Sequence, residues 1–126
     1  MPILDVEVVR TSAQDCIAPE LVKQLAHLAG EIFGTPAGRT WVKVHHIDKD
    51  LYWENDVAER EGVDPVFVTV LKAQMPEPAT LRVECEQLSR GIAEALGRLQ
   101  QHVHILYLPE AAGRIAFGGE LLETDT

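Results

Sequence analysis

The sequence predicts an α+β protein in which two tandem β-α-β units form a four-stranded sheet with two helices on one face. Two observations carry this prediction: the order strand, helix, strand occurs twice along the chain, and a proline leads each copy, Pro2 and Pro65. Each crossover is long enough to contain a helix, so the two strands of a unit should be parallel and their connection right-handed. A chain of 126 residues is expected to form one domain covering residues 1–126.

The first unit covers about residues 1–50. Residues 3–9, ILDVEVV, alternate apolar and acidic side chains, which is typical of a half-buried strand. The next segment, APELVKQLAHLAGEIFG, carries apolar residues at helical spacing, with Pro19 suited to the first helical turn and Gly34 to the end of the helix. Residues 40–47, TWVKVHHI, are the second predicted strand.

The second unit covers about residues 65–126 and repeats this order. Residues 65–73, PVFVTVLKA, form its first predicted strand, and residues 102–108, HVHILYL, form its second. The helix predicted between them opens at Pro78. Its apolar stripe consists of Leu81, Cys85, Leu88, Ile92 and Leu96.

Residues 51–64 separate the two units as an excursion that is mostly polar and charged. It carries a small apolar island that includes Tyr52 and Trp53. Structureless loops longer than about 12 to 15 residues are uncommon in compact domains. We therefore expect the island either to cover a pocket as an apolar lid or to pack the loop against the sheet.

The predicted layers leave one face of the sheet bare, because both helices cover the same face and the chain supplies no third layer. Association with further copies through the bare face is the expected remedy. The two cysteines, Cys16 and Cys85, have no CxxC spacing, which indicates neither a disulfide framework nor a zinc site. Both are expected to be small buried side chains.

Composition excludes several classes of partner. The net charge of -9 argues against nucleic acid and against an anionic membrane, because phosphate binding needs clustered Lys and Arg. No apolar run approaches the roughly 20 residues of a membrane span, and no signal segment opens the chain, so we expect a cytoplasmic protein. A small anion remains possible, because five basic residues lie near element ends: Arg10, Arg39, Lys43, Lys72 and Arg114.

The first two residues, Met1 and Pro2, suggest a catalytic group. If Met1 is removed, Pro2 presents a secondary amine held rigidly at the start of a strand. A free α-amino group titrates near 8, and an apolar pocket beside positive charge disfavours its protonated form. Such an amine can take a proton from carbon or from an enol oxygen and return it elsewhere.

Four segments are informative as a set: the Met-Pro start, GTPAGRTWVKVHHID, PVFVTVLK and VHILYLPEAAGRIAFGGELL. Together they resemble the tautomerase superfamily, which includes 4-oxalocrotonate tautomerase and macrophage migration inhibitory factor. The resemblance covers nearly the whole chain. It implies a tautomerase-like β-α-β fold repeated twice, a homotrimer, no cofactor, and an N-terminal proline, here Pro2, that moves protons for a small carboxylate-bearing substrate.

The resemblance also nominates cations that hold the substrate. Lys43 occupies the position of an arginine in the 4-oxalocrotonate tautomerase strand, so the charge is kept while the bidentate fork is lost. Arg10 matches a second family arginine only if the register shifts by about one residue. Arg39, in the loop that enters the second strand, is either a third substrate-binding cation or a solvated loop residue.

Four residues of the second unit complete the predicted site. His104 occupies the position equivalent to Lys43 and either donates to a substrate carbonyl or satisfies a hydrogen bond in the trimer. Tyr107, Arg114 and Phe117 lie in the segment that forms one wall of the family pocket, often in a neighbouring subunit. Arg114 is either an anion holder or part of an interface salt bridge. No metal site is expected, because no third ligand accompanies the two histidines of the HVHILYL strand.

Departures from the family narrow the expected activity. The dehalogenase and decarboxylase members carry an arginine pair after the strand that opens the second unit, where this chain has only Lys72. The acidic residue that the dehalogenase places before the closing glycines is Ala116 here. Keto-enol tautomerisation of a 2-hydroxy-dienoate or arylpyruvate-like acid is therefore the expected reaction. The alternatives are a non-catalytic trimer that binds an anion or a protein, and a ferredoxin-like module with an antiparallel sheet.

Overall fold

The computed structural model describes residues 1–55 and 64–124. In chain order the elements are β1 (Pro2–Arg10), α1 (Pro19–Phe33), β2 (Trp41–Asp48), β3 (Val66–Lys72), α2 (Pro78–Leu96), β4 (Val103–Tyr107), β5 (Ala116–Phe117) and β6 (Glu120–Leu121). Short 3₁₀ turns at Lys49–Leu51 and Gln100–His102 follow β2 and precede β4. No described helix has the length and apolar character required to cross a membrane.

The main sheet has the strand order β2-β1-β3-β4. Strands β1 and β2 are parallel, β3 and β4 are parallel, and β1 and β3 are antiparallel. The two predicted β-α-β units are thus confirmed, and the ferredoxin-like alternative is wrong because each unit pairs its own strands in parallel.

This topology gathers four strand ends at each edge of the sheet. The edge that contains Pro2, called the Pro2 edge below, collects the starts of β1 and β2 and the ends of β3 and β4. The opposite edge, called the Arg10 edge, is closed by Arg98, whose guanidinium donates to the carbonyls of Val9 and Asp64. Arg98 therefore ties the end of β1 to the residues that enter β3.

The core lies between the helices and one face of the sheet. The alternation predicted for β1 is confirmed, because its even-numbered residues Leu4, Val6 and Val8 are buried while Asp5 and Glu7 are partly exposed. The core is formed mainly by apolar side chains of β1 and β3 packed against α1 and α2: Leu4, Val6, Val8, Val66, Val68, Val70, Leu25, Ala29, Leu88 and Ile92.

Both helices begin where their sequences predict, and α1 also ends where predicted. Proline occupies the first turn of each, where no backbone N–H is required. Gly34 and Gly97 end them in the left-handed conformation, with φ of 66° at both positions. The helices approach closely at Gly91, where an added Cβ would lie 2.7 Å from a methyl group of Leu28.

Two sequence expectations about burial are wrong. Leu88 and Ile92 of the α2 stripe are buried as expected. In the turn before them, however, Glu84 is buried while Leu81 and Cys85 are only half-buried. A carboxylate can occupy this position because two polar partners meet it there, as described below. Cys16 is exposed because it lies in the loop after β1, outside the core.

The segment after β4 crosses the Pro2 edge. The backbone N–H groups of Leu108 and Ala111 donate to the carbonyls of Val70 and Lys72, at 2.9 Å each. The chain then forms the β5–β6 hairpin, whose turn residues Gly118 and Gly119 have φ of 61° and 89°. Two consecutive positive φ angles are those of a tight hairpin turn that glycine makes without strain. The hairpin therefore comes to lie beside the start of β2.

The sheet face away from the helices is uncovered in the single chain. We call it the open face; it carries Trp41, Lys43, His45, His104 and Leu106, all exposed. The 3₁₀ turn at Lys49–Leu51 leads into the excursion, of which residues 56–63 lie outside the described part of the chain.

Candidate active site

A cavity of about 370 Å³ opens at the Pro2 edge. We call it the N-terminal cavity; it is lined by Met1, Arg39, Trp41, Phe117 and the hairpin residues 120–122. The loop before β2 supplies Arg39, and the hairpin supplies Phe117. Two of the predicted binding residues are thus brought to the N terminus by elements that are distant in sequence.

Pro2 lies at the base of this region. Its side chain is less than 2 % exposed, and Lys72 is its direct partner on the antiparallel strand β3. The nitrogen of Pro2 is bonded to Met1, whose atoms line the cavity. In this form the nitrogen is an amide and has no basic lone pair, so chemistry at Pro2 requires that Met1 be absent.

Two aromatic rings form the apolar wall of the N-terminal cavity. The rings of Trp41 and Phe117 meet edge to face, with centroids 5.3 Å apart and an interplanar angle of 89°. The indole N–H of Trp41 donates to the carbonyl of Gly38 at 3.0 Å, which fixes the orientation of the ring. A planar apolar body can therefore pack against a rigid surface here.

The cavity also carries one side chain of each charge. Arg39 brings a guanidinium and Glu120 a carboxylate, and both residues are exposed. Within residues 1–55 and 64–124, neither side chain has an ion-pair partner within 4.0 Å. Both charges are therefore available to a ligand.

A buried polar line runs behind Pro2 on the helix side of the sheet. Glu84 of α2 accepts from the ammonium of Lys72 at 3.0 Å and from the hydroxyl of Tyr107 at 2.5 Å. Lys72 also lies 4.8 Å from the ring centroid of Phe33. Burial, followed by the bond to Glu84, raises the pKa of Tyr107 well above its usual value. Tyr107 thus faces the helix rather than the N-terminal cavity.

Arg114 lies in the segment that crosses the Pro2 edge but turns back onto its own loop. Its Nε donates to the carbonyl of Glu110 at 2.8 Å, and Nη2 donates to the carbonyl of Pro109 at 2.9 Å. The guanidinium therefore stabilises the turn that leads into β5.

Lys43 and His104 lie on the open face. The ammonium of Lys43 is 3.2 Å from a carboxylate oxygen of Asp5, which is also 3.4 Å from the imidazole of His45. The ring of His104 lies 5.4 Å from that of Phe67. Neither Lys43 nor His104 lines the N-terminal cavity of its own chain. Within the described ranges, no three His, Cys, Asp or Glu side chains cluster so as to hold a metal ion.

Arg10 lies at the other end of β1. Eight residue-to-residue steps of extended chain, about 26 Å, separate it from Pro2. Its Nε donates to Asp48 at 2.7 Å, and this bond raises the pKa of Arg10 above its ordinary value. Tyr52 contacts this part of the sheet too, with its ring 5.8 Å from that of Phe67. Within one chain, neither Arg10 nor Tyr52 reaches the N-terminal cavity.

Sequence reasoning missed Trp41 and the hairpin residues 120–122 of the cavity. Counting every second residue along β2 places Trp41 on the same face as Lys43, and the parallel pairing of β2 with β1 places it beside the start of β1. The sequence therefore contained a signal for Trp41. The position of Glu120 depends on the hairpin folding back across the sheet edge, which no local pattern encodes.

Comparison with known proteins gives a consistent picture of the fold. No family model and no curated protein matches the chain. Among solved structures, it is similar to the macrophage migration inhibitory factor from Trichinella spiralis, at 15% identity over 94% of this chain and 98% of that chain, with a TM-score of 0.74. A fused 4-OT wild-type asymmetric trimer matches at 15% identity over 95% of both chains, with a TM-score of 0.75. FG41 malonate semialdehyde decarboxylase inhibited by 3-bromopropiolate matches at 16% identity over 92% of this chain and 88% of that chain, with a TM-score of 0.66. The chain therefore has the α+β fold of the tautomerase superfamily.

Proposed function

We propose that this chain is a cytoplasmic, cofactor-free tautomerase that moves a proton between carbon and oxygen of a small 2-hydroxy-dienoate or arylpyruvate-like acid. Pro2 is the base once Met1 has been removed. The observation that carries the proposal is the position of the N terminus, which opens on a cavity with aromatic walls and the guanidinium of Arg39, a group without an ion-pair partner in the described part of the chain.

The proton transfer follows from this arrangement. The freed nitrogen of Pro2 takes the proton of the enol hydroxyl, the C–C double bond shifts to form the carbonyl, and the same nitrogen returns the proton to carbon. Apolar walls and the Arg39 charge disfavour a protonated amine, and the Glu120 carboxylate of the same cavity opposes them. Since a free α-amino group titrates near 8, a neutral, basic fraction of the nitrogen is present near neutral pH. Arg39 holds the substrate carboxylate by charge-assisted hydrogen bonds and orients the reacting atoms toward Pro2.

The proposed assembly is a homotrimer that buries the open face. Two observations support it: the exposed apolar side chains of that face, and a structural neighbour that is itself a trimer. In such an assembly Lys43, His104 and Arg10 can serve only a neighbouring subunit's cavity, because none reaches the cavity of its own chain.

A matched pair of leucines tests the assembly. Leu106 on the open face and Leu99 after α2 are 61% and 59% exposed, so replacing either by glutamate alters a similar exposed area. Leu106→Glu is expected to yield monomers in light scattering coupled to size exclusion, because three like charges would be buried together. Leu99→Glu should remain a trimer. A trimeric Leu106→Glu protein, or a monomeric wild type, would reject the proposed interface.

The catalytic proposal is tested on a sample whose intact mass shows complete loss of Met1. Absorbance then follows the ketonisation of phenylenolpyruvate and of 2-hydroxymuconate. Arg39→Gln is expected to raise KM with a smaller effect on kcat, whereas Arg82→Gln, an exposed residue of α2, should change neither. Absence of turnover with both substrates, or full activity in Pro2→Ala, would refute the proposal.

A second function follows if Met1 is kept. With Met1 in place, its atoms line the cavity and the Pro2 nitrogen is blocked. A chain that keeps Met1 in its host would be a non-catalytic trimer that binds a small anion or a protein partner. The intact mass of the protein isolated from its host separates the two functions, because it reports the fraction of chains that carry a free Pro2.

A further inference from the structure

The N-terminal cavity is lined by one cationic side chain, that of Arg39, and one carboxylate, that of Glu120, and neither has an ion-pair partner among the described residues. From this combination we propose that Glu120 is a specificity-determining residue that makes the cavity select monocarboxylic acids with an aromatic or apolar body and reject dicarboxylic acids. The inference rests on the proposed function and chooses between the two substrate classes that it allows.

The hairpin fixes where Glu120 points. Phe117 and Glu120 are direct cross-strand partners in the β5–β6 pair, so their side chains lie on the same side of the hairpin. The ring of Phe117 packs against that of Trp41 in the cavity wall, with the two ring planes nearly perpendicular. Glu120 must therefore face the cavity too, and its lining contact there agrees with this.

The hairpin that carries Glu120 is held at both ends. The backbone N–H of Leu122 donates to the carbonyl of Ile115 at 2.8 Å, and that of Gly113 donates to the carbonyl of Leu122 at 2.7 Å. The turn itself is closed by the paired glycines described above. The backbone that carries Glu120 is thus held in place at the cavity wall.

Within one chain, the other nominated cations do not offset this charge. Lys43 is paired with Asp5 on the open face, and Arg114 donates to carbonyls of its own loop. Arg39 is then the one free cationic side chain that lines the cavity within the described residues. A monocarboxylate can satisfy Arg39 and lay its body on Trp41, whereas the second carboxylate of a dicarboxylate meets the like charge of Glu120.

The experiment compares Met-free wild type, Glu120→Gln and Glu123→Gln with one substrate of each class. Glu123 is exposed beyond β6 and does not line the cavity, so its variant makes the same charge change outside the site. Wild type should prefer phenylenolpyruvate. Glu120→Gln should raise kcat/KM for 2-hydroxymuconate about tenfold at low ionic strength and change that for phenylenolpyruvate less than about twofold. Glu123→Gln should match wild type for both.

Two outcomes would overturn the inference while leaving the tautomerase proposal intact: a wild type that prefers the dicarboxylate, or an unchanged substrate ratio in Glu120→Gln. If no substrate is turned over, the tautomerase proposal fails and calorimetric binding of trans-cinnamate and trans,trans-muconate decides the inference by itself. Tighter binding of cinnamate to wild type, with muconate binding gained about tenfold in Glu120→Gln, supports selection by Glu120. Equal binding of the two acids to both proteins refutes it.

Discussion

Replacing Glu84 by leucine is expected to lower the free energy of unfolding by about 3 kcal/mol. The Glu84 side chain is only 8% exposed and accepts one hydrogen bond from Lys72 and one from Tyr107. A hydrogen bond to a charged group contributes about 1.5 to 3 kcal/mol, so the two bonds set a range of about 3 to 6 kcal/mol. The lower end applies because the Lys72 side chain is 20% exposed and its ammonium can regain water, and because the leucine adds buried apolar surface.

Urea unfolding at one fixed protein concentration measures this change. Glu86→Leu is the matched control on the same helix, since it removes only an exposed ion pair with Arg90 and should change stability by less than about 0.5 kcal/mol. The double variant Lys72→Met, Glu84→Leu should recover part of the loss, because it removes the partly buried ammonium that Glu84→Leu leaves without its carboxylate partner. A Glu84→Leu protein as stable as wild type, or a double variant whose loss equals the sum of the single losses, would refute the reasoning.

Three further predictions concern stability. Tyr107→Phe should flatten the fall of stability above about pH 10, because the folded-state pKa of Tyr107 is raised, so the folded chain keeps a proton that the unfolded chain releases; equal slopes of unfolding free energy against pH in variant and wild type would contradict this. Gly91→Ala should lower the free energy of unfolding by about 1 to 3 kcal/mol, because its Cβ would lie 2.7 Å from a leucine methyl of α1. Gly30→Ala, whose nearest atom would be 3.6 Å away, should raise it by about 0.5 to 1 kcal/mol, and thermal melts in the reverse order would exclude this account. Arg98→Met should cost about 1 to 3 kcal/mol in urea because two carbonyls lose their donor, whereas Arg90→Met should cost less than about 0.5; equal losses would show that the Arg98 bonds are not special.

The fold could be predicted because its information is local. Most buried side chains follow from the period of two in β1 and β3 and from the helical stripes of α1 and α2. Pro19 and Pro78 mark the starts of the helices, and Gly34 marks the end of α1. Parallel pairing within each unit then follows from the length of the crossover. Each of these steps needs only neighbouring residues.

The candidate site could be predicted only in part, because its residues meet through long-range packing. Pro2 and Lys72 become neighbours through the antiparallel pairing of β1 with β3, and Phe117 reaches Trp41 after the chain has crossed the sheet edge. Glu84 misleads pattern reading for a related reason. A glutamate in a helix is normally predicted to face solvent. Glu84 can be buried because Lys72 and Tyr107, which are distant in sequence, both donate hydrogen bonds to it.

The internal repeat explains why only one of its two prolines can be a catalyst. Because β1 and β3 are antiparallel, Pro2 and Pro65 fall at opposite edges of the sheet, and Pro65 is as fully buried as Pro2. At the Pro65 end, the residue's own carbonyl accepts from Val9 at 3.1 Å, and Arg98 binds the carbonyl of Asp64. The nitrogen of Pro65 is an internal amide, whereas that of Pro2 can be freed by the loss of one residue. Duplication of the β-α-β unit therefore supplies two equivalent scaffolds, and the chain terminus makes one of them chemically different.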